Sequence, residues 1–357
     1  MFKNIDIDPK ETRSAAYFNM MRNIYRVNWL ILYLFGASPI LTRNFLTEDN
    51  HSFKELDKQT LFLPYATSLR MSNFGYQNTR RKKLEVSINS IAEYISGLRK
   101  ATNTAHSEFA KIQKKNTNFQ AQINENILQI DDEYYAVARA KSKIISDKRT
   151  TTKLNQSGVD FIELRSLDLN PFSRIGIDKE TVLFLETFLI YCFIKQGQYF
   201  TDDEIRNINH NDSNVAQKGR EPNLCLLKDG EKTSLKEWGK QILDNLMPIA
   251  AVLDCDKMQY TNAVVQMRER INDASLTLSG RFLDDILSKN LSFIDFGNTI
   301  GESNKKHYLN LNQHDNPNWN LLEKEAIDSH NQQKRLENKD GESFESFESF
   351  VENYFKY

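Results

Sequence analysis

Glu163 and Arg165 stand two residues apart in the run Phe161-Ile162-Glu163-Leu164-Arg165. In a strand, residues two apart share a face. A carboxylate and a guanidinium would then project together while Ile162 and Leu164 turn into apolar packing. Charges on a strand otherwise built for burial are costly unless paired or used. If used, the two suit phosphoryl transfer, the carboxylate holding a divalent cation and the arginine neutralising charge on the transferring phosphate. If merely paired, they form a salt bridge at a sheet rim, and spacing alone leaves both readings open. Arg70 is the second candidate. It lies between Leu69 and Met71 in a turn-rich segment, with Tyr76 following Gly75. An arginine among apolar neighbours suits bidentate capture of a carboxylate or phosphate; the plain alternative is an exposed loop arginine.

Other chemistries find little support. The six histidines form no HxxxH or HExxH pair, and no GxxxxGK[ST] loop, GxGxxG fingerprint or GxSxG elbow occurs. Any use of ATP therefore proceeds without a P-loop. The one dense basic run, TRRKK at 79–83, lacks the interleaved aromatics and charge excess of a nucleic-acid surface. With 47 Lys plus Arg against 48 Asp plus Glu, no global field attracts nucleic acid or an anionic membrane. Cys192, Cys225 and Cys255 are scattered and never in a CxxC pair, so neither a disulfide framework nor a zinc site is indicated, and a cytoplasmic setting is expected. The longest strongly apolar stretch, 27–35, is too short to span a bilayer.

The elements that must position these residues are mostly helical, since 13 Gly and 7 Pro punctuate 357 residues sparsely. Pro9 and Gly36 bracket a helix over 10–34. A short extended piece and a turn-rich loop follow over 61–78, then an amphipathic helix over 84–98. Alternation in 123–141 predicts two short strands with an acidic turn at Asp131–Asp132, and 158–168 is the best strand. Helices are predicted over 178–196, 233–250, 257–272 and 276–288, and an Asn-rich exposed loop over 298–320. In the tail, Phe344, Phe347, Phe350 and Tyr354 fall at spacings of three and four, so 340–357 reads as an amphipathic terminal helix. No stretch has linker composition, and residues 1–357 are expected to form a single domain.

Taken in order, YFNMMRNIYRVNWLILYLFGASPIL (17–41), LFLPYATSLRMSNFGYQN (61–78), QINENILQIDDEYYAVARAK (122–141) and GVDFIELRSLDLNPFSRIGID (158–178) resemble the proteobacterial-type (class I) glutamate–cysteine ligases. The resemblance covers about residues 10–290. It implies an α+β, glutamine-synthetase-like fold: a curved, mainly antiparallel sheet backed by many helices. It also implies that ATP phosphorylates the γ-carboxylate of L-glutamate and that the amine of L-cysteine displaces the phosphate, with Mg2+ assisting. Carried over, Glu163 is the metal-binding carboxylate and Arg165 the phosphate-contacting catalytic arginine. Arg70 grips the substrate glutamate and Tyr76 shapes the cysteine site. Glu133 and Tyr135 keep the family's pattern, whereas Ala138 and Ala140 stand where proline is usual. Family members carry a long N-terminal portion, with sheet strands and acidic ligands, ahead of the YFNMM-like helix. The sheet is accordingly expected to be incomplete, the chain being one part of a split gene, which acts with a separately encoded N-terminal segment, a truncated gene model, or a fragment read from an internal start. A non-catalytic fragment or interaction protein keeping the helical part of the fold, or a related carboxylate–amine ligase, stays open as an alternative.

Overall fold

The computed structural model describes residues 8–46, 52–75, 86–115, 122–144, 148–255, 257–311, 316–342 and 347–355. The chain divides into two compact units, Met1–Phe293 and Ile294–Tyr357. In the first unit the order is α1 (Pro9–Phe35), β1 (Ile40–Thr42), β2 (Lys54–Glu55), β3 (Thr60–Phe62), α2 (Ile91–Thr102), α3 (Ser107–Lys115), β4 (Ala138–Lys141), α4 (Thr150–Ser157) and β5 (Phe161–Leu164). It continues with α5 (Lys179–Ile194), α6 (Asp202–Lys218), β6 (Cys225–Lys228), β7 (Glu231–Ser234), α7 (Leu235–Leu253), α8 (Gln259–Asn272) and α9 (Leu278–Ser288). The second unit holds all but the first residue of α10 (Phe293–Leu309), then α11 (Trp319–Glu342) and α12 (Phe347–Phe355).

The α+β class stands, with every described strand pairing antiparallel. The strands form three small sheets: β1-β3-β2, β4-β5 and β6-β7. The first helix starts where Asp8 caps the backbone N–H of Lys10 and Pro9 fills the first turn, where no N–H is needed. From Trp29 to Phe35 every side chain is at most 1% exposed. A helix that is apolar all round has to be enclosed. Phe35 packs at a tilt against Phe184 of α5, and Trp29 meets Trp238 of α7.

Several expectations need correcting. The stretch 123–141 supplies one strand, β4, whose partner is β5. The consecutive Ile127 and Leu128 are both buried, and their backbone N–H groups donate to Thr104 and Ala101, so what precedes β4 is a loop packed on the end of α2. The second helix starts later than 84 because Ser90 caps it, its hydroxyl accepting from the backbone N–H of Glu93. Residues 202–218 had no assignment and form α6, capped by Thr201. The β6–β7 hairpin was also missed, although Asp229 and Gly230 take the positive φ values, 52° and 84°, of a tight hairpin turn. The asparagines of 298–320 do not prevent helices. Asp295 in the first turn of α10 and Lys306 and His307 in its last complement its dipole. Phe347–Phe355 is helical as read from the tail; Phe344 lies outside the described residues.

One polar pair lies against the buried stretch of α1. The Asn28 amide donates to Oδ2 of Asp212 on α6 at 2.8 Å, while Oδ1 of each residue is buried with no partner. Burial, only partly opposed by Asn28, pushes the Asp212 carboxyl up to about 7. The unfolded value is about 3.9, so between about pH 4 and pH 7 the folded chain holds a proton that the unfolded chain has lost. Stability from this group is therefore highest at acid pH and is lost as pH rises through that window, by up to about 1.4 kcal/mol per pH unit. Urea melts of the wild type and Asp212→Asn from pH 4 to pH 8 should diverge, the variant gaining relative to the wild type until about pH 7 and running parallel above it.

Candidate active site

The β4–β5 ladder pairs Ala138 with Leu164, Arg139 with Glu163, Ala140 with Ile162 and Lys141 with Phe161. Pleat alternation splits it cleanly. Ala138 and Ala140 are fully buried among α1 side chains, and Ile162 and Leu164 pack with them. The opposite face presents Arg139, Lys141, Glu163 and, two residues beyond, Arg165. The shared face expected of Glu163 and Arg165 is thus observed.

The charges on that face are loosely paired. Glu163 Oε1 lies 3.8 Å from Nη1 of Arg165 and its Oε2 lies 3.6 Å from Nζ of Lys141, with the Glu163 side chain 41% exposed. Lys141 also reaches Oδ1 of Asp132 at 3.1 Å. That ammonium and the Thr150 hydroxyl outweigh the effect of burial and hold the Asp132 carboxyl below its usual range. Arg139 is buried and has no carboxylate within ion-pair distance among the described residues. Its Nη2 donates to the carbonyls of Asp132 and Tyr134, and its Nε is buried without a partner. Burial, then the neighbouring Arg165, lowers its pKa. Three cations therefore surround two carboxylates, an arrangement suited to an anion that brings its own charge.

Arg70 is held from several directions. It occupies a short 3-10 turn at Leu69–Met71, and its Nε donates to Oδ1 of Asp168 at 2.5 Å. Its Nη1 donates to the Tyr135 hydroxyl at 2.9 Å, and its Nη2 to the carbonyls of Arg165 and Leu167 at 3.2 and 2.8 Å. The Arg165 guanidinium lies 5.6 Å from the centre of the Tyr135 ring. Arg70 and Arg165 are thus joined through Tyr135, and Glu163 adjoins Arg165. Tyr76 and the basic run at 79–83 lie outside the described residues. Sequence reasoning missed Asp168, Asp132, Arg139 and Lys141. The last two carried a signal, because charged residues alternate with alanines in Ala138-Arg139-Ala140-Lys141.

Among the described residues no group of three or more His, Cys, Asp or Glu is placed to hold a metal. Glu163 nevertheless suits magnesium, which keeps several waters and takes one or two carboxylates together with substrate phosphates. Among the described residues both its oxygens are engaged only by long ion pairs. A groove of about 860 Å³, lined by Arg26, Lys195, Lys228 and Trp238 among others, shares no residue with this site.

Comparison with known proteins bears on the chain as a whole. The family model for glutamate–cysteine ligase matches residues 2–215. A glutamate–cysteine ligase of Janthinobacterium sp. (strain Marseille) is 34% identical over 352 residues, 98% of this chain and 66% of that protein. One from Aliivibrio fischeri (strain MJ11) is 41% identical over 77% of this chain and 54% of its own. The crystal structure of the Francisella tularensis glutamate–cysteine ligase in complex with AMP superposes with a TM-score of 0.86 at 29% identity, covering 96% of this chain and 67% of that one. A bifunctional glutathione synthetase from Pasteurella multocida shares the fold, with a TM-score of 0.62 at 20% identity. The chain thus spans about two thirds or less of the length of these curated relatives.

The geometry of the Glu163 ion pairs makes a prediction of its own. Exposed pairs at such distances contribute about 0–1 kcal/mol. Glu163→Gln should therefore shift the thermal midpoint by no more than about 4 °C, as read by calorimetry. A much larger drop would make the pair a structural element of the sheet rim.

Proposed function

Because the chain belongs to the glutamate–cysteine ligase family, we propose that its β4–β5 face takes part in the ATP-dependent joining of L-glutamate, through its γ-carboxylate, to L-cysteine, the first step of glutathione biosynthesis. The observation that carries this is the convergence of Arg139, Lys141 and Arg165 around a half-buried, loosely paired Glu163. In the first step the γ-phosphoryl group of ATP passes to a γ-carboxylate oxygen of glutamate and ADP leaves. In the second the cysteine amine attacks the acyl carbon, phosphate departs and the nitrogen gives up a proton.

Both steps carry charge on phosphate oxygens, and fixed donors stabilise such charge where it develops. Arg165 contacts the transferring phosphate, its guanidinium kept over the Tyr135 ring. Lys141, now shared by Asp132 and Glu163, is drawn toward the incoming anion. Glu163 would hold Mg2+, which when bound offsets phosphate charge. Arg70 orients the glutamate end through Tyr135 and the remaining hydrogen of its Nη1. Tyr76 is assigned to the cysteine side on the family pattern alone. The setting is the cytoplasm, where the free thiols of Cys192, Cys225 and Cys255 persist. Among the described residues no helix is long and apolar enough to cross a membrane.

The test is γ-glutamylcysteine formation, followed by mass spectrometry with ATP, magnesium and both amino acids. It is run on the chain alone and with the remaining third of a relative added, which also tests the separately encoded segment expected from the sequence. Product with one ADP per peptide bond is expected, with kcat lowered roughly 10²-fold or more by Arg165→Ala and by Glu163→Gln, and near-native melting. No product in either assembly, or unchanged turnover in both variants, overturns the assignment.

A further inference from the structure

Asp168 lies outside the β4–β5 face, and none of the roles above uses it. Its side chain is only 4% exposed. A buried carboxylate needs charge and hydrogen-bond partners, and Asp168 takes them from two segments remote in the chain. Oδ1 accepts from Nε of Arg70 at 2.5 Å. Oδ2 accepts from the backbone N–H of Ala37 at 2.8 Å and from the Ser38 hydroxyl at 2.7 Å. With its proton given to Asp168, the Ser38 oxygen is left as the acceptor for the backbone N–H of Arg70 at 3.3 Å. Arg70 is thus gripped at its backbone and at its Nε.

A guanidinium is planar, so fixing Nε against a carboxylate sets where its other N–H groups point. They point at the Tyr135 hydroxyl and at the carbonyls of Arg165 and Leu167. The first holds the ring over which Arg165 lies, and the second holds the backbone that carries Arg165. We propose that Asp168 is a positioning residue for the phosphate-facing site, locking Arg70 so that it fixes the Tyr135 ring and the Arg165 backbone together. The catalytic consequence rests on the reading of Arg165 given above. A bridge that served stability alone would have no reason to end on the ring beneath Arg165.

Two measurements test this on the full chain, in whichever assembly makes product. The first is the 15N-detected Nε–H resonance of Arg70, identified by its loss in Arg70→Lys. It should be sharp and slow to exchange in the wild type, and lost or fast-exchanging in Asp168→Asn. The second is the split between kcat and KM for ATP. Misplacement of a reacting group by about an ångström is costly, so kcat should fall roughly 10–100-fold while KM changes far less. Ser38→Ala, which keeps the carboxylate, should show a smaller change of the same kind and guards against misfolding of Asp168→Asn. The proposal is overturned if kcat per folded molecule is unchanged in Asp168→Asn, or if kcat falls while the Arg70 resonance stays intact. If the wild type makes no product, the ligase assignment fails, and the resonance alone then decides whether Asp168 holds Arg70.

Discussion

The last two turns of α1 have no face that water can touch. Seven consecutive residues, Trp29 to Phe35, are at most 1% exposed, and each large apolar side chain is worth roughly 1.5–3 kcal/mol when fully buried. Together they match or exceed the net stability of an ordinary domain, about 5–15 kcal/mol. The first unit therefore has to be assembled around this helix. Its packing partners come from α5, α6, α7 and β4, and each is placed by the need to cover one side of it.

That constraint explains how the site comes to be built from residues about a hundred positions apart. At the end of α1, Gly36 leaves no room for a side chain. A Cβ there would lie 2.4 Å from the Leu32 carbonyl oxygen and 2.7 Å from that of Thr67. The same glycine that stops the helix lets the Thr67–Arg70 segment run against it, with Ser38 bridged to Ser68. On the flank of α1, the small side chains of Ala138 and Ala140 let β4 lie close, and the Tyr25 hydroxyl reaches the Ala138 carbonyl at 3.4 Å. One half of the site thus hangs from the end of α1 and the other from its side. Asp168, Arg70 and Tyr135 close the distance between them.

What was legible in the sequence follows from this division. Local signals with a mechanical cause were readable: Pro9 and Gly36 around α1, the shared face of Glu163 and Arg165, and helical periodicity over most of 178–288. Contacts between distant segments were not. Asp168 reads as one more acid in Ser166-Leu167-Asp168, and nothing local says that Ala37, Ser38 and Arg70 will all turn toward it. The alternation in 123–141 misled because Ile127 and Leu128 are both drawn into the core by α2, which a strand's pleat would forbid. The Asp229-Gly230 turn was a local signal simply passed over.

Two ion pairs in the same stretch of chain show how structure and function divide the charged residues. Asp131 and Arg149 are both at most 1% exposed at the side chain and meet at 2.5 Å. Asp131 also accepts from the backbone and the hydroxyl of Thr151, and Arg149 donates to the Thr102 hydroxyl. Such a pair is sealed, and removing one partner strands a buried charge at a cost of about 3–5 kcal/mol. Glu163, 32 residues further on, has no partner closer than 3.6 Å on either oxygen among the described residues. The sealed pair holds the 131–134 turn in place, and that turn in turn clasps Arg139 through the carbonyls of Asp132 and Tyr134. The charges left open are therefore the ones free to exchange partners when an anion arrives, and they sit on a frame whose own charges cannot.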